Sequence, residues 1–320
     1  MNLTFSPPRM PLSNFEISEH CRHLIRCIQE AGGKAILVGG CVRDILLERR
    51  IQDFDIEVFG LAPKEVLVIL KKCFEDIDLS GYKFGVFKLT SCCIDVSIPR
   101  IEKVTGHKHT AFEVQAAPFI TYKEAAQRRD FTINSMGIDC TSGTLLDPFG
   151  GADDLKAGIL KHVSSHFFED PLRVLRGMQL IGRFHLNPHP HTCNMCQMMS
   201  PENLSRRKVF DEFKKLFVGS KNPSRGFLFL QQINWLQYFE PWHQCQQKFP
   251  DQWNAILRTL DHCDISGDSN RIAWMCTTLW RQLEGMHIEC RNFFRQWVYD
   301  EALFRQILSN VTSFANKEVD

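Results

Sequence analysis

Acids at alternate positions mark one short stretch of this sequence, DFDIEVF from Asp53 to Phe59. As a strand it would carry Asp53, Asp55 and Glu57 on one face and Phe54, Ile56 and Val58 on the other. Two carboxylates at i and i+2 are hard oxygen donors, suited to a divalent cation such as Mg2+. Just upstream, the apolar run AILV leads into Gly39-Gly40, and Arg43 follows. A glycine turn lets backbone approach a ligand that a Cβ would block. Alone, a glycine pair is a tight turn and an acid pair is a solvated edge strand. Together in one strand–turn–helix–strand unit they point to phosphoryl transfer. Gly40, the turn N–H groups and Arg43 would hold a triphosphate, while Asp53 and Asp55 hold the metal. Glu57 reads better as a structural contact than as a ligand. Asp95, alternating with Cys93 and Ser97, is a third acid entering from a neighbouring strand, as further ligand or base.

Two downstream clusters could choose or hold a nucleotide. Arg128-Arg129-Asp130 has a guanidinium suited to bidentate phosphate or base recognition, and Asn134 falls one helical turn beyond Asp130. The plainer reading is an ion pair between Asp130 and an arginine. In Glu169-Asp170-Pro171-Leu172-Arg173, an Asp before Pro is a ready helix cap. A cap does not explain the arginine row, Arg173 and Arg176, that follows it on the helix. Asp170 could accept from an exocyclic amino group, which both cytosine and adenine carry. Cys193 and Cys196, with His185, His189 and His191 upstream, have zinc-like spacing, but no second cysteine pair follows, and packing is the better reading. No G-x-S-x-G, no His-Asp dipeptide and no P-loop occurs, which sets aside the corresponding hydrolases and NTPases.

These residues need elements to place them. Ser18–Ala31 shows a helical stripe of Cys21, Leu24, Ile25 and Ile28, closed by Gly32-Gly33; Ala62–Phe74 reads as a second helix. GYKFGVFKLT and CCIDVSIPR are strand-like. Arg100–Tyr122 reads as a mobile connection, the RRD cluster as part of a helix, and FFEDPLRVLRGMQLIGRF as a strong helix. Past Phe184 the pattern is helical with no clear strand, and all six tryptophans lie after residue 230, giving that part an aromatic core of its own. The fold class is therefore an α/β first part followed by an all-α second part.

Bulk numbers agree. The 320 residues are 44% hydrophobic and 23% charged, an ordinary globular composition with room for two or three domains. A net charge of +1 leaves no global basic field, so a nucleic-acid partner would need local patches. Arg206, Arg207, Lys208, Lys214, Lys215, Lys221 and Arg225 form one such run, with a solvated helix face as the equal alternative. No apolar run approaches the roughly 20 residues of a membrane span, so no membrane partner is expected. Thirteen scattered cysteines suit a reducing, cytoplasmic compartment.

Taken together, LVGGCVRDILL…DFDIEVFG, RRDFTINSMGID, LLDPFGGADDLKAGILKHV and EDPLRVLRGMQLIGRF resemble the class II tRNA nucleotidyltransferases, that is, CCA-adding enzymes and bacterial poly(A) polymerases. The match is close over about residues 34–184, continues more weakly to Pro241, and stops there. The resemblance implies a head of the DNA polymerase β nucleotidyltransferase type over residues 1–155, a helical neck over 156–220 and a helical, RNA-binding body and tail over 221–320. It implies Mg2+-dependent addition of CMP and AMP, from CTP and ATP, to a tRNA 3′ end. Asp53 and Asp55 are then metal ligands; Gly40, Arg43, Arg129 and Asn134 are nucleotide contacts. Asp170 and Arg173 are the protein template for the base, Glu169 orients Arg173, and Arg176 is a further contact. Lys103–Phe112 resembles the loop that enables the switch from C to A. Departures are Gln179 where an arginine is common, with Arg183 as its stand-in, Glu48 where glycine is common, and Arg207-Lys208 before Val209-Phe210. The chain is also short, which implies a reduced tail. Alternatives are a partial CC- or A-adding enzyme, a poly(A) polymerase (though the chain ends NKEVD, not in a basic extension) and, in another class, a non-catalytic RNA-binding relative.

Overall fold

The computed structural model describes residues 17–104, 112–281 and 287–315. The chain forms two compact units, one reaching Ala157 and adding His162–His166, the other made of Gly158–Lys161 and the chain from Phe167.

In the first unit, α1 (Glu19–Glu30) starts at Ser18, whose hydroxyl accepts from the Cys21 N–H at 3.3 Å. It buries the expected stripe of Cys21, Leu24, Ile25 and Ile28. Next come β1 (Lys34–Val38), α2 (Gly40–Leu46), β2 (Phe54–Phe59) and α3 (Pro63–Cys73). They are followed by β3 (Val86–Leu89), β4 (Ile94–Ser97), β5 (Arg100–Val104), β6 (Phe112–Ala116) and α4 (Tyr122–Ala126). β7 (Gly137–Asp139), β8 (Leu145–Leu146) and α5 (Gly151–Lys156) complete the unit. Six strands make one mixed sheet in the order β3-β4-β2-β1-β7-β8; β2 and β4 run parallel, the other neighbours antiparallel.

Register explains how the sheet positions the acids. Leu37, Ile56, Val96 and Phe87 are consecutive cross-strand partners, and all four are fully buried. One residue back along β2 and β4, the side chains turn to the other face. There Asp55, Asp95 and Lys88 are consecutive partners. Burying the apolar row thus obliges the acid row to face away from it.

Three sequence expectations are corrected. Arg100–Tyr122 is no loose connection: β5 and β6 pair antiparallel from Arg100↔Ala116 to Val104↔Phe112. The rest of the expected switch loop, residues 105–111, lies outside the described residues. Arg128-Arg129-Asp130 is not helical, because α4 ends at Ala126 and the cluster occupies the following turn. A strand does occur past Phe184: β10 (Asn187–Pro188) pairs in parallel with β9 (Ile159–Leu160).

The second unit is otherwise helical: α6 (Leu172–Phe184), α7 (Pro190–Gln197), α8 (Arg206–Gly219), α9 (Ser224–Gln232), α10 (Glu240–Lys248), α11 (Pro250–Leu260), α12 (Asp268–Arg281), α13 (His287–Trp297) and α14 (Glu301–Ala315). Its core is aromatic, as expected. Phe213 meets Phe217, Phe227, Phe239 and Trp242 with ring centroids 5.3–6.0 Å apart. Helix α6 is locked to α8 at Gly182, where a Cβ would collide with Leu216, and the Ser220 hydroxyl donates to the Gly182 carbonyl at 2.8 Å. Arg271 closes the C-terminal end of α8, donating to the carbonyls of Phe217, Ser220 and Cys263 at 2.6–2.9 Å. Cys193 and Cys196 are packed inside on α7 and form no metal-ligand cluster among the described residues. No described helix is long and apolar enough to cross a membrane.

Candidate active site

The turn after β1 is where chemistry concentrates. Gly39 has φ +76° and ψ −137°, a backbone that a side chain would strain. A Cβ there would also sit 3.3 Å from both Arg129 Nη1 and Asp55 Oδ2. The turn, one arginine of the RRD cluster and one acid of the pair therefore converge. Asp53, just before β2, is exposed; Asp55 is half-buried; Asp95 is the β4 residue in register with Asp55 and pairs with Lys88 at 3.1 Å. Carboxylates at i and i+2, beside a turn with no Cβ, are donors of the kind a hard divalent cation takes, but among the described residues Asp53, Asp55 and Asp95 do not close into a three-ligand cluster.

Arg129 is held by Glu57, not by Asp130: Nη2 lies 3.3 Å from Glu57 Oε2. Burial works against the Arg129 charge, but Glu57, Tyr122 and Asp55 prevail and raise its pKa above the ordinary guanidinium value. It is a permanent cation beside the acid pair. Glu57 is thereby accounted for as the structural contact expected of it. The buried Arg43 donates from Nη1 to Asn134 Oδ1 at 2.7 Å, and from Nε and Nη2 to Asp44 Oδ1 at 3.0 and 2.9 Å. Asn134 in turn donates to Asp130 Oδ1 at 3.3 Å. The Asp130–Asn134 proximity was expected from a helix; a turn and one short 3-10 segment, Thr132–Asn134, supply it instead. The Arg43 guanidinium lies over Gly40, whose Cβ would be 3.4 Å from Nη2. Cys41 is no nucleophile, since burial pushes its thiol up to about 12.

Sequence reasoning missed the supports of Asn134. Asp147 caps α5, accepting from the Gly151 and Ala152 N–H groups at 2.7 and 2.9 Å. A Cβ on Gly151 would run into the Thr132 carbonyl, and Asp154 accepts from the Thr132 hydroxyl at 2.7 Å. The signal was present in DPFGGADDL, an acid-and-glycine turn, but nothing local says which segment it braces.

The base-reading candidates belong to the second unit. Asp170 Oδ1 accepts from the Leu172 N–H at 3.0 Å, so its carboxylate is fixed at the start of α6, as a cap would be. Glu169 and Arg176 are exposed; Arg173 is half-buried. Gln179 is buried and accepts from Arg183 Nη1 at 2.9 Å, while the Arg183 side chain lies against Gly219. Among the basic residues of α8 and α9, Lys214 pairs with Asp211 at 2.6 Å, Lys215 with Glu212 at 2.7 Å, and Arg225 donates to the Leu186 carbonyl at 3.0 Å. Lys214 and Arg225 are partly buried by these contacts; Lys215, Arg206, Arg207 and Lys208, and Lys221 between the two helices, are exposed.

Known proteins agree with this geometry. Residues 35–161 match the Poly A polymerase head domain. A Multifunctional CCA protein of Nitrosococcus oceani is 36% identical over 213 residues, covering 65% of this chain and 50% of the relative. The chain spans about half the length of the curated relatives it matches. Among solved structures, the Bacillus stearothermophilus CCA-adding enzyme in complex with CTP superposes with a TM-score of 0.71 at 23% identity, over 94% of this chain and 71% of that one. The Thermotoga maritima CCA-adding enzyme complexed with tRNA gives 0.61 at 21%, over 89% and 67%. At such identities the structures speak for the fold. The resemblance carried by the motifs is borne out: the glycine turn and the acid-bearing strand both lie within residues 35–161, the segment that matches the Poly A polymerase head domain.

Proposed function

We propose that this protein adds CMP and AMP, from CTP and ATP, to the 3′ end of tRNA, releasing pyrophosphate. The observation that carries the reading is the convergence of Asp55, Arg129 and the Gly39 turn on the face where β2 and β4 set Asp55 beside Asp95. In this reading Asp53 and Asp55 hold Mg2+, and Asp95 is a third acid. Bound Mg2+ would stabilise charge on the attacking and leaving oxygens. The chain's own part is positioning and fixed charge. Gly40 and the turn N–H groups let the triphosphate approach the backbone. Arg43, braced by Asn134 and Asp44, and Arg129, braced by Glu57, present cations that need no reorganisation as the substrate arrives. Asp170 accepts from the amino group of cytosine or adenine, Arg173 donates beside it, Glu169 orients Arg173 and Arg176 contacts the nucleotide. Uracil offers no amino group at that edge. Guanine presents a carbonyl where adenine presents the amine, so both are refused. Residues 1–155 would act as head, 156–220 as neck, and 221–320 as the RNA-holding body and tail. Free thiols at all thirteen cysteines support a reducing compartment, the cytoplasm.

The test uses three acceptors: tRNA lacking CCA, tRNA ending in C-C, and a generic RNA, each with labelled CTP or ATP. Three nucleotides on the first tRNA, one on the second and none on the generic RNA are expected, and none anywhere with Asp55→Ala. Long adenylate tails on generic RNA would make the protein a poly(A) polymerase. Growth of one tRNA alone would make it a partial enzyme, and normal turnover by Asp55→Ala would end the metal assignment.

A further inference from the structure

Helix α1 has a second face. His20, His23, Cys27 and Glu30 recur at spacings of three, four and three residues, which keeps them on one side. That side is distinct from the buried stripe of Cys21, Leu24, Ile25 and Ile28. Helix α3 packs against α1 and ends at Cys73. The Cys73 sulfur lies 3.0 Å from the Cys27 sulfur, and His23 Nε2 lies 3.7 Å from that same sulfur. The ligand atoms of His23, Cys27 and Cys73 are all within 4.8 Å of one another. Both cysteines are half-buried and His23 is exposed, so the cluster is open to solvent. Neither helix contributes a residue to the candidate active site.

We propose that His23, Cys27 and Cys73 bind a zinc-class metal ion, with the fourth position left to Glu30 or water. Zn–S bonds of about 2.3 Å and Zn–N bonds of about 2.0–2.1 Å at tetrahedral angles set ligand separations of roughly 3.5 Å for S···N and 3.7 Å for S···S. The His23–Cys27 distance matches the first. The two sulfurs open by about 0.7 Å to reach the second. A disulfide, with sulfurs about 2.05 Å apart, would have no use for the imidazole beside Cys27. Two ligands at i and i+4 on a helix are a recurrent way to grip zinc from one face. Thiolate and imidazole donors are soft, whereas the Asp53/Asp55 oxygens are hard, so the two sites select different ions. Binding releases the two thiol protons to solvent and ties α1 to α3, coupling the ion to the folding of the first unit.

The test is site-specific. The reduced, metal-free full chain is treated with a thiol-alkylating reagent, with and without equimolar zinc chloride, and each cysteine is read by peptide mass spectrometry. Zinc should protect Cys27 and Cys73 together and leave Cys92 and Cys93 labelled as before. Magnesium chloride should protect none. His23→Ala, a change at an exposed side chain, should abolish the protection while circular dichroism stays unchanged. Cys27→Ser/Cys73→Ser should lower bound zinc by one ion per chain in elemental analysis. Unchanged labelling with zinc, or protection that survives His23→Ala, would overturn the proposal. So would a Cys27–Cys73 disulfide whose reduction leaves a protein that takes up no zinc.

Discussion

At the scale of single residues, the charges of the head are held in place by partners that the sequence names but does not pair. Asp139 is a case. Burial pulls its carboxyl upward, but Lys34, 2.8 Å away, and the Thr141 and Ser142 N–H groups prevail and hold it below the ordinary value. A depressed carboxyl stabilises the fold in full above the unfolded-state pKa of about 3.9, and that contribution is lost as pH falls through the folded value. Lys34→Met should therefore lower the stability of the head near neutrality, modestly for so exposed a lysine, and the difference from the parent should shrink as pH falls through the folded Asp139 value, read by denaturant titration under circular dichroism. Arg173 makes a different prediction. Arg173→Ala should blur the choice among CTP, ATP, UTP and GTP more than it weakens triphosphate binding. Retained selectivity with weakened binding would reverse its assignment. Of the site, the acid pair and its strand were legible because period-two alternation is a local signal. The Glu57–Arg129 and Arg43–Asn134 bonds span 72 and 91 residues, and no local pattern encodes them.

Among elements, the ends are decisive. Helix α2 closes with a Schellman motif: Glu48 N–H donates to the Ile45 carbonyl at 3.0 Å and Arg49 N–H to the Asp44 carbonyl at 2.9 Å. The motif demands a left-handed residue, and Glu48 supplies it at φ +52°. This gives a physical reason for the glycine common at that position in the resembled family. Glu48→Gly should stabilise the protein by about 1 kcal/mol, measured by denaturant titration. The opposite holds at Gly182, where α6 and α8 touch. Gly182→Ala must push Leu216 aside and should cost about 1–3 kcal/mol. It also disturbs the helix that carries Arg173 and Arg176, so nucleotide choice should suffer alongside stability. Helices such as α1 and α3 were readable from their apolar stripes and caps. The β5–β6 ladder was not, because its partners are joined only by their pairing across the hairpin, and the polar and aromatic mixture of Arg100–Tyr122 carries no single period. The RRD turn was misread as helix because a four-residue spacing between Asp130 and Asn134 is compatible with either backbone.

For the whole molecule, the division of labour between units was visible as a change of pattern near Phe184. Its boundary was not, since Gly158–Lys161 joins the second unit while His162–His166 returns to the first. That crossing depends on β9 finding β10, a two-residue pairing too short to show a period in the sequence. The aromatic core has an optical consequence. Every indole of the chain, from Trp235 to Trp297, belongs to the second unit. Intrinsic tryptophan emission is therefore blind to the head, while the amide signal in the far ultraviolet sees both. Lys34→Met and Glu48→Gly should shift the amide curve. Emission follows them to the extent that the two units melt in one transition, so the gap between the two curves measures how far folding of the first unit is felt by the second.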